Sequence, residues 1–287
     1  MNYLFLLTSV FIGTGKNIVM RLGKDRFKGS FQTHFMNFLT ALICIAIVLI
    51  SSGGNVNLCP QTVFYGCFYA FFTITAQLSY LRAVSLGSTA LSSLIYSMGF
   101  LLTVVVGFAF FKEKINLPII LAIVIIIVSL LLCVQSSEGQ KTSAKWIFFC
   151  FGGFFSSGIV GVIQKLFRAS AVGEDLDSLL AVSFAFMAIF SGLMMLIFKK
   201  TVCTEQIKGK FFLLAVLLGL CIGFANKLNL FLSGALPSVV FFPSLNVGTI
   251  SLTAIASLIV FKEKLSRRKI VSIILGLVGI VLVGIFK

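Results

Sequence analysis

A chain of 287 residues that is 59% hydrophobic and 11% charged, with a mean hydropathy of +1.12, carries more apolar surface than a soluble domain can hide behind a polar exterior. The formal net charge of +15 would point to nucleic acid in a soluble protein, but here the basic residues cluster in short connections between apolar runs, where they set membrane topology. Uninterrupted runs such as ILAIVIIIVSLLLCV (120–134) exclude the alternating pattern of a membrane β-barrel, so an all-α integral membrane protein is expected, with no nucleic-acid partner.

In chain order, ten apolar segments are predicted as helices: 3–21, 32–51, 62–82, 88–111, 117–135, 146–167, 178–198, 211–232, 238–261 and 268–286. A bilayer core roughly 30 Å thick needs about 20 such residues per span. The opening stretch MNYLFLLTSVFIGTG lacks a basic leader and its apolar run continues to Met20, so it reads as a first helix rather than a cleaved signal. The polar stretch SSEGQKTSAK (136–145) lies near the centre of the chain and reads as a linker between an N-terminal half, 1–135, and a C-terminal half, 146–287. The seven cysteines (44, 59, 67, 133, 150, 203, 221) show no CxxC pair or metal-ligand spacing, and no metal or cofactor is expected.

The tetrapeptide FKEK occurs twice, at Phe111–Lys114 and at Phe261–Lys264, an offset of 150 residues. The same register pairs Leu78 with Leu228, Ser88 with Ser238, Leu102-Thr103 with Leu252-Thr253, and Ile123 with Ile273. Near the start of each half the offset is 144, and Met20-Arg21-Leu22 lies over Gln164-Lys165-Leu166. Two five-helix halves follow. Because five is odd, the second half enters the membrane from the opposite face, the inverted-repeat plan of many secondary transporters. Of the 23 basic residues, sixteen fall in one set of alternating connections and six at the other, with Lys16 inside the first segment. The positive-inside rule puts the sixteen in the cytoplasm and both termini outside, in the plasma membrane.

Two five-helix halves, each closing on helix–FKEK–helix, resemble the drug/metabolite transporter superfamily and within it the ten-helix EamA-type members. The mark of that family is a glutamate closing the fourth helix of each half; here those glutamates are Glu113 and Glu263. The resemblance covers essentially the whole chain and is nearest over GALPSVVFFPSLNVGTISLTAIASLIVFKEKLSRRK (234–269). It implies ten helices around a central cavity and a substrate moved by alternating access. It does not name the substrate, since the superfamily carries amino acids, nucleotide sugars, sugar phosphates, purines and drugs.

Polar groups within apolar segments are the candidate substrate-binding residues, because ionisable side chains in a bilayer are costly and mark pathways. They are Lys16, Asn17, Gln77, Tyr80, Tyr96, Asn226, Lys227, Asn229 and Asn246. All eight acidic residues fall at segment ends or in connections, which leaves no counter-charge for a cationic drug. Lys16 and Lys227 favour an anionic group if they face a cavity; the alternative is that each snorkels to a headgroup. Glu113 and Glu263 are read as fixing helix ends, and Lys165 and Arg168 as interfacial anchors. Pro237 and Pro243 are candidate hinges, the second of them removing a hydrogen bond inside a helix.

The expected activity is secondary transport of a small metabolite, as an efflux carrier for an anionic or zwitterionic solute such as an amino acid, an organic acid or a phosphorylated compound. A non-transporting assembly or receptor component is the alternative. No catalytic residues are expected and the chain is not read as an enzyme, because the sequence offers a single histidine, no carboxylate within an apolar segment and no clustered acid–base or metal set. The expected partners are a small-molecule substrate and the lipid bilayer, with the chain as monomer or homodimer.

Overall fold

The computed structural model describes all residues except 24–25, 27–28, 88, 114–115, 134–142, 202–206, 263–266 and 287. The described residues form α-helices and one short 3-10 turn, with no strand among them. The helices are α1 Asn2–Leu22, α2 Ser30–Ser51, α3 Pro60–Leu86, α4 Thr89–Ser97, α5 Phe100–Phe111, α6 Leu117–Cys133, α7 Ala144–Arg168, α8 Leu176–Ile197, α9 Gly209–Ala235, α10 Ser238–Val260 and α11 Arg267–Phe286. Each of the ten apolar segments coincides with helix, and the fourth is divided into α4 and α5 at Met98–Gly99. Among the described residues, seven helical stretches are long and apolar enough to cross a membrane, while α6 and α11 contain shorter apolar helices. Most of the predicted linker, and Glu263, lie outside the described residues.

The helix ends have local causes. Gly53 and Gly54, at φ 61° and 82°, turn the chain after α2 into a conformation that side chains rarely adopt. Asp175 caps α8 by accepting a 3.1 Å hydrogen bond from the Ser178 N–H. Pro237, at φ −57° and ψ 144°, stands just ahead of α10. Lys112 closes α5 in the left-handed region at φ 52°, and Lys262 takes φ 54° at the matching place after α10. FKEK is thus a helix terminator in both copies, with its first lysine as the left-handed residue.

The chain divides into two compact units. Unit 1 holds Met1–Leu6, Phe72–Leu166 and Leu232–Lys287; unit 2 holds Leu7–Phe71 and Phe167–Phe231. In unit 1, α6 and α11 are locked by reciprocal hydrogen bonds, Ser129 Oγ donating to Ser272 O at 2.7 Å and Ser272 Oγ to Ser129 O at 2.8 Å. A Cβ on Gly279 would meet Ile126 Cγ1 at 2.6 Å, and Asn116 Nδ2 donates to Phe286 O at 2.9 Å. As position falls along α6, its partner rises along α11, so the two helices run antiparallel. Small residues at the crossing let the backbones approach, which drives helix association where lipid removes the hydrophobic incentive.

The same device holds α7 to its neighbours in unit 1. A Cβ on Gly158 would lie 2.6 Å from Gly99 O, so the α4–α5 break sits directly on the α7 backbone. Gly152 faces Ser79, Gly153 faces the Tyr96 ring, and Gly161 faces Thr103 and Phe242. The small-residue face of α7 is therefore used for packing.

In unit 2, α2 runs antiparallel to α8: His34 stacks on Phe198, Phe38 faces Gly192, and Ser51 reaches Asp177. It runs parallel to α9, with Phe35 stacked on Phe211, Ile43 against Gly219 and Ile47 against Gly223. Cys44, Val48, Phe167, Leu179, Leu180, Phe184 and Leu230 form one buried cluster of this unit.

Candidate functional site

The nine candidate substrate residues divide between the units: Gln77, Tyr80, Tyr96 and Asn246 belong to unit 1, and Lys16, Asn17, Asn226, Lys227 and Asn229 to unit 2. In unit 1, the break after Ser97 leaves Tyr96 near the end of α4, where its ring centroid is 5.1 Å from that of Tyr80. The Tyr80 hydroxyl and Ser93 Oγ are hydrogen-bonded at 2.8 Å. Ser157 of α7 donates to Tyr96 O at 3.1 Å, tying the same turn of α4 to the small-residue face. Asn246 spends one amide hydrogen on Phe242 O, four residues back in α10, at 2.9 Å. Gln77 sits half-buried on α3. Pro243 lies in the second turn of α10, which is nonetheless helical from Ser238 to Val260. A helix break in this unit falls at Met98–Gly99, a position that carries no proline.

In unit 2, α9 presents a row of amides. Asn229 Oδ1 accepts a hydrogen bond from Ser9 of α1. Asn226 Oδ1 accepts one from the Tyr69 hydroxyl of α3 at 2.7 Å, while its Nδ2 donates to Ile222 O. Lys227 Nζ stands 2.9 and 3.0 Å from the two oxygens of Asp177 and donates to Ser51 Oγ at 2.6 Å. Its charge is thus matched by a carboxylate at the start of α8. Lys16, half-buried on α1 together with Asn17, faces Cys221 of α9. Among the described residues no carboxylate lies within ion-pair distance of Lys16.

A third polar cluster, in unit 1, involves the first FKEK. With Lys112 left-handed, the chain doubles back and Glu113 turns onto the start of α10. Its carboxylate accepts from Ser238 N–H at 2.8 Å and from Ser238 Oγ at 3.2 Å. Lys165 of α7 stands 2.7 Å from Glu113 Oε1, donates to Leu236 O at 3.1 Å, and lies 5.9 Å from the centre of the Phe111 ring. Glu113 therefore closes its own helix and also caps another. Lys165 differs from the interfacial anchor expected of it: it is buried, because a carboxylate and a carbonyl inside the protein satisfy it better than a headgroup would. Arg168 of unit 2 turns back onto Gly173 O.

Sequence reasoning passed over Asp177, Ser51, Ser9, Tyr69, Ser93 and Ser238. For two of them a signal existed: Ser51 ends one predicted helix and Asp177 begins another, both at the face assigned to the outside, where the candidate Lys227 lies in the outer part of a third.

Residues 1–135 match the model of the EamA-like transporter family. These 135 residues, a little under half of the chain, are similar to that family. That family is one of the drug/metabolite transporter superfamily, and Glu113 lies within the matched residues. No curated protein matches the sequence. A solved crystal structure, 14% identical, superposes over 100% of this chain and 99% of its own with a TM-score of 0.78, a likeness of fold alone. With seven helices among the described residues long and apolar enough to cross a bilayer, and residues 1–135 matching this transporter family, the chain is a multi-pass membrane protein.

Proposed function

We propose that the chain is a secondary transporter of ten spans, built as two inverted five-helix halves, that moves a small anionic or zwitterionic metabolite by alternating access. The EamA half supports transport as the activity. The inverted plan is supported by the antiparallel course of α6 and α11, which the 150-residue register relates. Two helices that repeat each other in sequence and run in opposite directions are what an odd number of spans per half requires.

The preference for an anion rests on Lys16. Lys165 and Lys227 are already matched by Glu113 and Asp177, so an approaching anion meets a compensated charge at each. Lys16 has no carboxylate partner among the described residues, and a cation within a span favours a negatively charged group brought to it. Gln77, Tyr80, Tyr96 and Asn246 of unit 1, and Asn17, Asn226, Lys227 and Asn229 of unit 2, are the other proposed substrate-binding residues, and Pro237 and Pro243 the proposed hinge of α10. The basic-residue distribution supports both termini outside in a plasma-membrane protein, and efflux is the direction proposed for it.

The test is counterflow in liposomes with labelled amino acids, organic acids, nucleosides and phosphorylated sugars. Exchange of an acid or phosphate by the parent protein, reduced at least roughly ten-fold in Lys16→Gln with folding intact, is the expected result. Exchange confined to neutral or cationic compounds, or an unaltered anion rate in Lys16→Gln, sinks the assignment.

A further inference from the structure

We infer that Lys227, Asp177 and Ser51 form a one-sided latch that holds the outer ends of α2, α8 and α9 closed when no substrate is bound. The inference rests on the alternating-access reading but concerns its resting state, which that reading leaves free.

The three residues come from three helices of unit 2. Ser51 is the last residue of α2, Asp177 lies in the first turn of α8, and Lys227 is two turns before the end of α9. One ammonium group meets both carboxylate oxygens, at 2.9 and 3.0 Å, and the Ser51 hydroxyl at 2.6 Å. Ser51 Oγ is in turn 3.0 Å from Val48 O, so its own proton has an acceptor within α2. Asn57, in the connection beyond Ser51, donates its backbone N–H to Ser178 Oγ at 2.7 Å and ties the same helix ends together a second time.

The pair is only partly shielded, with 32% of the Lys227 side chain and 19% of the Asp177 side chain exposed. The protein encloses the pair only partly, so parting it does not leave two charges in a packed interior, and a latch must open in every cycle. A fully buried pair would cost too much to break repeatedly.

The second observation is asymmetry. The 150-residue register that relates the halves places Gln77 where Lys227 stands. Glutamine carries no charge, so the first half has no equivalent of the Lys227 ion pair. If the halves exchange conformations during transport, the state closed at the Ser51 end holds an ion pair that its mirror image lacks. The resting protein is then biased toward closure on that side, the side that the basic-residue distribution assigns to the exterior.

Cys221 provides a readout that needs no substrate. It lies on α9 six residues before Lys227, about 9 Å along the axis at 1.5 Å per residue, with its sulfur toward Gly15 of α1. A variant keeping only Cys221 is placed in liposomes and treated with a membrane-impermeant maleimide. The reagent is added on the side from which a Cys59-only variant reacts, since Cys59 follows Ser51 in the same connection. Asp177→Asn and Lys227→Gln are each expected to speed labelling of Cys221 roughly five-fold, the population shift that loss of a partly exposed pair allows. The charge-exchanged protein, Asp177→Lys with Lys227→Asp, is expected to return toward the slow parent rate. Ser51→Ala, which removes only the hydroxyl, is expected to give a rise of about two-fold and serves if the charge variants do not fold. Parent-like labelling in the folded variants, or an exchanged protein that labels as fast as the single variants, overturns the latch. Counterflow in the same vesicles separates the two readings. Exchange that persists with unchanged labelling removes the latch and leaves transport standing; faster labelling in vesicles whose parent protein exchanges nothing does the reverse.

Discussion

Lys165 Nζ stands 2.7 Å from Glu113 Oε1, and through that carboxylate α7 is joined to the start of α10. The side chains are 10% and 13% exposed, so the charges are matched within the protein rather than by water. Replacing Glu113 with Gln leaves Lys165 buried without a counter-charge, which costs about 3–5 kcal/mol of stability in pairs of this kind. Lys165→Met is expected to cost less, because the Ser238 N–H and hydroxyl still solvate the carboxylate. The double variant is expected to recover much of the loss, since no lone charge remains. Unfolding in detergent across the four proteins gives the coupling; additive losses would show that the pair does not hold α7 to α10.

The two FKEK lysines give a second prediction. Lys112 and Lys262 hold φ at 52° and 54°, where a non-glycine residue is strained by about 1–2 kcal/mol. Glycine at either position relieves the strain and loses some of the gain to the freer unfolded chain, whereas valine, branched at Cβ, adds to it. The order of thermal stability at each site should be Gly, then Lys, then Val. A valine variant as stable as the parent would mean that the left-handed turn is not required.

The α4–α5 break rests on glycine contacts that can be tested directly. A methyl group on Gly158 would come 2.6 Å from Gly99 O and 2.8 Å from Leu102 Cβ, and a backbone carbonyl cannot step aside as a side-chain tip can. Gly158→Ala should therefore cost about 1–3 kcal/mol, the usual penalty of overpacking. Gly284 is the control, because nothing lies within 4 Å of the Cβ position there. Gly284→Ala in α11 should be neutral or stabilising by up to about 1 kcal/mol through helix propensity. Equal stability of the two variants in a thermal scan would sink the packing argument.

Much of this architecture is legible in the sequence, for reasons tied to particular residues. Ten apolar segments stand out because a bilayer demands unbroken hydropathy, and their helices fall where the runs fall. FKEK reads as a helix terminus because Lys and Glu are excluded from hydrocarbon, and Lys112 does end α5. Partners across the fold do not show in hydropathy. Nothing around Lys165 announces Glu113, since that contact depends on the left-handed turn at Lys112 and on how α7 approaches α10. The break at Met98–Gly99 is likewise hidden: glycine is ordinary in spanning helices, and only the carbonyl of Gly99 against Gly158 gives it meaning. The Lys227–Asp177 pair falls between these cases. Alternation of direction already puts both residues at one face, and counting helix ends rather than apolar positions would have brought them together.

The last prediction concerns Cys59, just ahead of α3 and outside the apolar helices. Its thiol is held below the ordinary cysteine range, first by the hydroxyl of Thr62, 3.2 Å away, and then by the Thr62 backbone N–H at 3.5 Å. Both contacts favour the thiolate, which is the form that reacts with alkylating agents. For a group whose pKa is depressed in the folded protein, the thiolate is populated above the folded value and is lost as pH falls through it. Thr62→Val removes the hydroxyl and keeps the backbone N–H, so the midpoint of a rate-versus-pH curve for a Cys59-only protein should move upward but stop short of that for a free thiol. At fixed neutral pH the variant should therefore react more slowly than its parent. The same protein tests orientation, because Cys59 lies in the connection after α2, which the basic-residue distribution places outside the cell. A membrane-impermeant maleimide should label it in intact cells. Labelling only after the membrane is opened would invert the assignment of the faces and place the Lys227 latch on the cytoplasmic side, while a rate curve unmoved by Thr62→Val would show that the hydroxyl does not stabilise the thiolate.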